Sequence, residues 1–335
     1  MELLVRPLRR TLDVAPGINL LEALRIHGVP VSYSCMSGRC GTCRCKLVKG
    51  TAFDSPDSPD GSDQYVLACQ TTVDEPSTVE IAEPDEVIVH TAKIIKTTVV
   101  SMDAPTHDVR RIRLRASKPL AFSPGQYVQL QFTPEHVRPY SMAGLHDDGD
   151  FEFHVRVVPD GRVSGYVAQS LAVGDSVRVS GPLGCAYLRR RHEGPMLCVA
   201  GGTGLAPILS IVRGAIAEGM RNPIHLYFGV RTARDLYGRD QLAMLHREHP
   251  NLQVHVVLGS GDEPNCRSGL VTDAIASDWQ GKALEGFRAY LCGAPPMVEA
   301  ATLLVRQLGI PTNHIHAVAF YPATVDLNNA QGDTR

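Results

Sequence analysis

The sequence predicts a multidomain chain of three consecutive units: a small α+β module, an antiparallel β-barrel, and an α/β unit built on a parallel sheet. Three observations predict it. The chain has 335 residues, more than one domain of roughly 150 residues accounts for. Charge divides it: residues 1–90 carry eight Lys/Arg against thirteen Asp/Glu, a net −5, and residues 91–335 are +3. The grammar of apolar segments changes near Pro195, from short strands separated by turns to strands alternating with helices.

Composition narrows the class. With 44 % hydrophobic and 20 % charged residues, the chain can bury sizeable cores and is not a disordered polymer. A net charge of −2 argues against a general nucleic-acid binder. No apolar run reaches eighteen residues, so no membrane helix is expected. Met1–Arg6 lacks the basic-then-apolar pattern of a secretory signal, and lipidation motifs are absent. The expected location is the cytoplasm.

The first unit, residues 1–90, holds five of the nine cysteines: Cys35, Cys40, Cys43, Cys45 and Cys69. Disulfides are rare in a cytoplasmic chain, so clustered thiols read as metal ligands or catalytic groups. Cys35, Cys40 and Cys43 are spaced C-x4-C-x2-C, with Cys69 following after twenty-five residues. That is the plant-type [2Fe–2S] pattern. Four thiolates are required, on a loop tight enough for its N–H groups to face the sulfides. Gly38 and Gly41 permit that approach, and Ser37 and Thr42 are small and polar. The strand-like run Tyr65–Cys69 supplies the distant fourth ligand. Zinc is the competing metal, but zinc sites usually pair two C-x2-C knuckles and only one is present. Cys45 is expected to be structural. Phe53–Gly61 reads as an acidic surface loop and Glu83–Glu86 as the boundary.

The second unit, residues 91–192, shows strand-like segments at Lys93–Val100, Val109–Arg115, Tyr127–Phe132, Phe151–Val158 and Ser176–Ser180. Turns such as Ser123–Gly125 and Pro159–Gly161 separate them, which suggests a small antiparallel barrel. Arg138-Pro139-Tyr140-Ser141 closes one strand. Gly161-Arg162-Val163-Ser164 opens a helix, with Ser164 expected as its N-cap. A helix N-terminus after a glycine suits a phosphate, Arg138 offers an always-charged forked donor, and an aromatic such as Tyr140 can lie on a flavin. The four-residue motif by itself is equally compatible with a buried tyrosine beside a plain turn.

The third unit, residues 193–325, alternates strands at Met196–Ala200, Ile224–Phe228, Gln253–Leu258 and Ala289–Cys292 with helical patterns such as Ala206–Glu218. Gly201-Gly202-Thr203-Gly204 follows the first strand, and Pro207 fits the first turn of the helix after it. The context is that of a pyrophosphate-binding turn, although the spacing departs from G-x-G-x-x-G. Cys292-Gly293-Ala294-Pro295 is a second such turn. Residues 326–335 form a tail with no assigned role. His107, His136 and His314 read as surface or structural.

Taken in order, the cysteine loop, Arg138–Ser141, Gly161–Ser164, Gly201–Pro207, Cys292–Pro295 and Phe320-Tyr321-Pro322 resemble the reductase component of aromatic-ring dioxygenase systems, of the naphthalene dioxygenase type. The resemblance runs from Met1 to about Pro322. It places the chain in the ferredoxin–NADP reductase superfamily with a plant-type ferredoxin (β-grasp) fused in front.

The resemblance implies roles. Cys35, Cys40, Cys43 and Cys69 would hold the [2Fe–2S] cluster. Arg138, Pro139, Tyr140 and Ser141 would bind FAD, with Arg138 on its phosphate and Ser141 near the flavin N5. Gly161, Arg162, Val163 and Ser164 would support the pyrophosphate. Gly202, Thr203, Gly204 and Pro207 would meet the NADH phosphates, with Cys292 and Gly293 near the nicotinamide and Phe320 near the flavin ring. Ser141, Cys292 and Phe320 would flank the chemistry. The module order implies FAD rather than FMN, and a path from NADH through FAD and the cluster to a Rieske-type ferredoxin or the terminal oxygenase, in a chain that suffices as a monomer.

Three readings compete with it: the reductase of a di-iron monooxygenase, that of a deoxysugar system, and a cluster-based redox sensor. The sensor reading leaves the flavin and glycine motifs unused. NADPH remains open beside NADH. An acidic residue about twenty positions past the glycines usually binds the ribose; Glu218 is fourteen past Gly204 and Asp235 thirty-one, while Arg231 and Arg234 could meet a 2′-phosphate.

Overall fold

The computed structural model describes residues 1–31, 33, 38, 43–50, 64–81, 86, 88 and 90–321. The expected acidic loop and tail, and most of the expected first boundary, lie outside them.

The first unit is a five-stranded sheet with one helix. Strands β1 (Glu2–Arg6), β2 (Arg10–Asp13), β4 (Arg44–Lys49), β5 (Gln64–Leu67) and β7 (Ser77–Glu80) lie in the order β2-β1-β7-β4-β5. The β1–β7 pair is parallel and the others antiparallel. Short strands β3 (Ile18–Asn19) and β6 (Thr72–Val73) form a second pair. Alternation on β1 buries Leu3 and Val5 on one face. Helix α1 (Leu20–Ile26) closes that core with Leu20, Leu21, Ala23 and Leu24. Its start is set by Asn19, whose side chain accepts from the Glu22 N–H at 3.2 Å.

The second unit is a six-stranded antiparallel sheet: β8 (Lys93–Asp103), β9 (Val109–Ala116), β10 (Tyr127–Gln131), β11 (Val137–Ser141), β12 (Asp150–Arg156) and β13 (Ser176–Leu183). The order is β11-β10-β13-β8-β9-β12. An antiparallel bridge between Met142 and Phe153 joins the two edges, and the Ala143 N–H donates to the Glu152 carbonyl at 2.9 Å. The sheet is thereby barrel-like, wrapped around Ile112, Leu114, Leu130 and Phe153. Helix α2 (Arg162–Gln169) follows β12.

The third unit is an all-parallel sheet: β14 (Met196–Gly201), β15 (Ile224–Val230), β16 (Leu252–Leu258), β17 (Arg267–Ser268), β18 (Arg288–Gly293) and β19 (Ile315–Ala319), in the order β17-β16-β15-β14-β18-β19. Helices α3 (Leu205–Ala217) and α4 (Arg239–Glu248) cover one face; α5 (Val271–Asp278) and α6 (Pro295–Gln307) cover the other. On β14 the side chains divide with period two: Met196, Cys198 and Ala200 join one core, Leu197 and Val199 the other. The chain builds outward from β14 on one side and then returns to β18 on the other. The carboxyl end between β14 and β18 is therefore the switch point at which open α/β sheets bind ligands.

The second and third units are stitched together by polar contacts. Ser210 on α3 donates to the Gly144 carbonyl at 2.7 Å and accepts from the Gly125 N–H at 3.3 Å. Arg213 makes two 2.7 Å bonds to the Asp148 carboxylate. No described helix is long and apolar enough to cross a membrane.

Candidate cofactor sites

Cys43 stands just before β4, and the β4–β5 register pairs Arg44 with Leu67, which sets Cys43 beside Ala68 and Cys69. The Ala68 N–H donates to the Cys43 carbonyl at 3.0 Å, and the Cys69 N–H reaches the Cys43 sulfur at 3.4 Å. Cys69 is not on a strand, as the run Tyr65–Cys69 suggested. It sits in the 3-10 turn Ala68–Gln70, because Thr71 Oγ1 claims the Leu67 carbonyl at 2.9 Å and Asn19 Nδ2 the Cys69 carbonyl at 3.1 Å. The Cys69 thiol is drawn down to about 6, chiefly by its hydrogen bond with Cys43, against burial and with help from Gln70 and the Gly38 N–H. Gly38 has φ +80, and a Cβ there would come within 2.9 Å of Gln70 Cγ. Two thiols in contact, with donors aimed at one of them, fit a cluster that needs thiolates and N–H···S bonds. Cys35 and Cys40 lie outside the described residues. Cys45 is buried in the core, its thiol pushed up to about 12, as a structural cysteine should be.

The flavin motif lies on β11, an edge strand, where the exposed Pro139 removes no needed ladder donor. Ser141 is buried opposite Tyr127. Tyr140 packs edge-to-face on Phe132 at 6.3 Å, and burial pushes its phenol up to about 12. Arg138 donates to the Tyr321 carbonyl. Helix α2 starts at Arg162 with Gly161 as N-cap, which corrects the expectation of Ser164. The Ser164 hydroxyl instead turns back to accept from the Val158 N–H at 3.2 Å, which also ends β12 at Arg156 rather than Val158. Gly161 is obligatory there: a Cβ would stand 2.3 Å from that hydroxyl. Val163 is buried, Arg162 exposed. A cavity of about 600 Å³ opens against this turn, lined by Asp108, Pro159, Gly161, Arg162, Tyr166 and Gln169.

The two glycine turns meet at the switch point. Gly202–Gly204 forms a 3-10 turn leading into α3, with Pro207 buried in the first turn of that helix. A Cβ on Gly204 would lie 2.0 Å from the Cys292 carbonyl oxygen, and one on Gly293 3.0 Å from the Gly201 Cα. Thr203 is buried. Cys292 pairs with Ala200 and Val318, is 1 % exposed, and is held neutral by burial, which pushes it up to about 12. Phe320, just past β19, is half-buried, and its N–H donates to the Gly293 carbonyl at 2.9 Å.

One cation here was missed by reading the sequence. Arg156, the last residue of β12, pairs with Asp108 at 2.9 Å and places Nη1 within 3.3 Å of where a Gly202 side chain would be. Its only signal was its place just before Pro159–Gly161. Glu218 is excluded as a ribose contact. It caps the far end of α3, away from the carboxyl edge, and pairs with Arg190 at 3.1 Å. Asp235 lies just past β15, with one oxygen committed to Thr232 in a capping box. His136 stacks on Tyr166 at 4.5 Å and bonds Thr133. His107 is an exposed partner of Asp108 and Asp235. His314 ends a 3-10 turn.

Three family models match in chain order: a 2Fe-2S iron-sulfur cluster binding domain over residues 4–74, an oxidoreductase FAD-binding domain over 92–187 and an oxidoreductase NAD-binding domain over 198–302. The reductase component of the naphthalene 1,2-dioxygenase/salicylate 5-hydroxylase systems of Ralstonia sp is 58 % identical over 330 residues, covering 97 % of this chain and all of that protein. The ferredoxin–NAD(P)+ reductase component of the Pseudomonas putida naphthalene 1,2-dioxygenase system is 55 % identical over the same shares. Among solved structures, the ferredoxin reductase in carbazole 1,9a-dioxygenase superposes with TM-score 0.66 at 28 % identity, covering 96 % of this chain and 98 % of that one. With its cysteine turn, flavin strand and paired glycine turns in that order, the chain belongs to the family of [2Fe–2S]- and FAD-containing NAD(P)H reductase components of aromatic-ring dioxygenase systems.

Proposed function

We propose that this chain oxidises NADH and delivers single electrons to a Rieske-type ferredoxin, or to the terminal oxygenase itself, working as a cytoplasmic monomer with units at residues 1–90, 91–192 and 193–325. When bound, the nicotinamide supplies a hydride, the flavin converts that electron pair into single electrons, and the cluster relays them. The observation that carries the reading is the junction at Phe320–Tyr321. Phe320 bonds the Gly293 turn through its N–H, and Tyr321 receives Arg138 from the flavin strand, so the two nucleotide sites share one short segment.

The residues have distinct tasks in this reading. Arg138 and the first-turn amides of α2, at Arg162 and Val163, neutralise the FAD pyrophosphate, with Gly161 allowing close approach and Ser164 bracing the turn. Tyr140 would offer its ring to the flavin, and Ser141 a hydroxyl to its N5 side. Gly202, Thr203 and Gly204, with Pro207 fixing the helix start, take the NADH phosphates, and Arg156 reaches them from the barrel. Cys292 and Gly293 would border the nicotinamide, and Phe320 would shield the flavin. Neutral Cys292 and Tyr140 add no competing charge, and hydride transfer requires neither to give a proton. Cys35, Cys40, Cys43 and Cys69 hold the cluster. Asp235, at the carboxyl edge beyond β15, favours an unphosphorylated ribose and hence NADH.

The test is the visible spectrum of the purified protein before and after NADH without oxygen. Flavin and iron–sulfur bands that both bleach are expected. Bands that persist would overturn the NADH-driven path, and a protein that binds neither group would overturn the whole reading. A higher kcat/KM for NADPH would overturn the nucleotide preference.

A further inference from the structure

We infer that Tyr33 and Tyr127 form the positioning pair that holds the cluster-bearing module against the flavin strand. The inference rests on the cofactor sites proposed above and concerns the step between them. Tyr33 stands two residues before Cys35, a reach of at most about 7 Å along the chain. Tyr127 is the direct cross-strand partner of Ser141 on the flavin strand. Their hydroxyls meet across the seam at 3.4 Å. The pair therefore links the residue two places before Cys35 to the strand that pairs with the flavin strand.

Packing, more than the hydroxyl contact, holds the seam. A 3.4 Å O···O separation is long and weak for a hydrogen bond. The rings, by contrast, are enclosed. Arg25 of α1 lies over the Tyr33 ring at 4.7 Å. Gly184, with φ +93, lies flat on Tyr127, and a Cβ there would sit 2.8 Å from two ring carbons. Gln126 fixes that turn by donating to the Gly184 carbonyl at 3.0 Å. A second, separate anchor secures the connecting segment: Tyr187 Oη accepts from the Ile88 N–H at 2.9 Å and donates to the Glu86 carbonyl at 3.1 Å. With the connection strapped at Glu86–Ile88, the Tyr33–Tyr127 contact fixes the remaining orientation. The transfer it serves moves one electron from flavin to cluster and makes or breaks no bond.

The experiment uses the full holoprotein and stopped-flow spectroscopy with NADH under anaerobic conditions, following the flavin and cluster bands separately. Tyr127→Leu is expected to slow cluster reduction by about tenfold or more while flavin reduction by NADH stays within about twofold, because misplacement by an ångström is costly for a positioned reaction. Hydrogen–deuterium exchange at residues 183–186 should rise in the same variant, also in protein stripped of its cofactors. Tyr127→Phe keeps the ring and should restore both readouts. If Tyr127→Leu loses flavin, Tyr33→Leu probes the seam from the other side with the same expectations. Unchanged cluster reduction and exchange in the Leu variants, or a Phe variant as slow as Leu, would overturn the inference. Wild-type protein whose flavin does not bleach with NADH would instead overturn the proposed function.

Discussion

Glu152 is where opposing electrostatic effects meet at the scale of one residue. Burial alone would raise its carboxyl; the hydrogen bond and charge of His154, with Arg113, overrule it and bring it down to about 2. His154 Nε2 lies 3.1 Å from one carboxylate oxygen, Arg113 Nε donates to the other at 2.8 Å, and His154 Nδ1 lies 2.9 Å from the hydroxyl of Tyr237 in the third unit. A depressed carboxyl contributes stability that is fully present above its unfolded value of about 4.5 and is lost as pH falls through about 2. Glu152→Gln should therefore cost about 2 kcal/mol at pH 7, since it weakens a mostly buried charge-assisted pair. Denaturant titrations of both proteins should show that gap closing between pH 4.5 and 2.

At the scale of the element, the two glycine turns show why backbone, not side chain, defines the nucleotide edge. The parallel register sets Ala200 beside Cys292, so the turns leaving β14 and β18 are forced against each other. There is no room for a methyl group: the 2.0 Å approach of a Gly204 Cβ to a backbone oxygen can be relieved only by moving one strand end. Gly204→Ala should lower stability by about 3 kcal/mol or more, as overpacking into rigid backbone does. It should also abolish NADH-driven flavin bleaching while the flavin remains bound; thermal melts and anaerobic spectra read the two effects. The start of α2 follows the same logic. Gly161 caps it because the Ser164 hydroxyl is drawn back to Val158, so the expected capping serine braces the preceding turn instead.

At the scale of the whole molecule, three modules are linked at several independent points. Ser210, Arg213 and Tyr237 tie the nucleotide unit to the barrel, while Tyr187 and the Tyr33–Tyr127 seam tie the first module to it. Both transfers should therefore occur within one chain. The rate of cluster reduction after mixing with excess NADH should be first-order and unchanged over about a tenfold range of protein concentration, since an intramolecular partner is already at its effective concentration. A rate that rises with protein concentration would show electrons passing between molecules. Transfer onward to a separate partner should depend on that partner's concentration.

Much of this was legible in the residues themselves, because each legible feature depends on local chemistry. Cysteine spacing specifies a cluster loop; apolar runs that end in glycine specify strand, turn and helix; turn residues between β-branched runs specify an antiparallel barrel. Hence strands such as Ile224–Val230 and helix Leu205–Ala217 differ from their expected limits by at most two residues. Strand β19 carried no comparable signal: Ile315–Ala319 is short, and burial between α6 and β18 makes it a strand. The contacts between modules were invisible for a related reason. Tyr33 and Tyr127 are 94 residues apart, and Arg156 and Gly202 are 46 apart; nothing in the local pattern of either partner announces the other. Sequence alone determined which cofactor chemistry each segment can support, since that resides in residue type and spacing. Tertiary structure alone decided which segments face one another, because docking depends on the shapes of folded surfaces that exist only after each module has packed its own core.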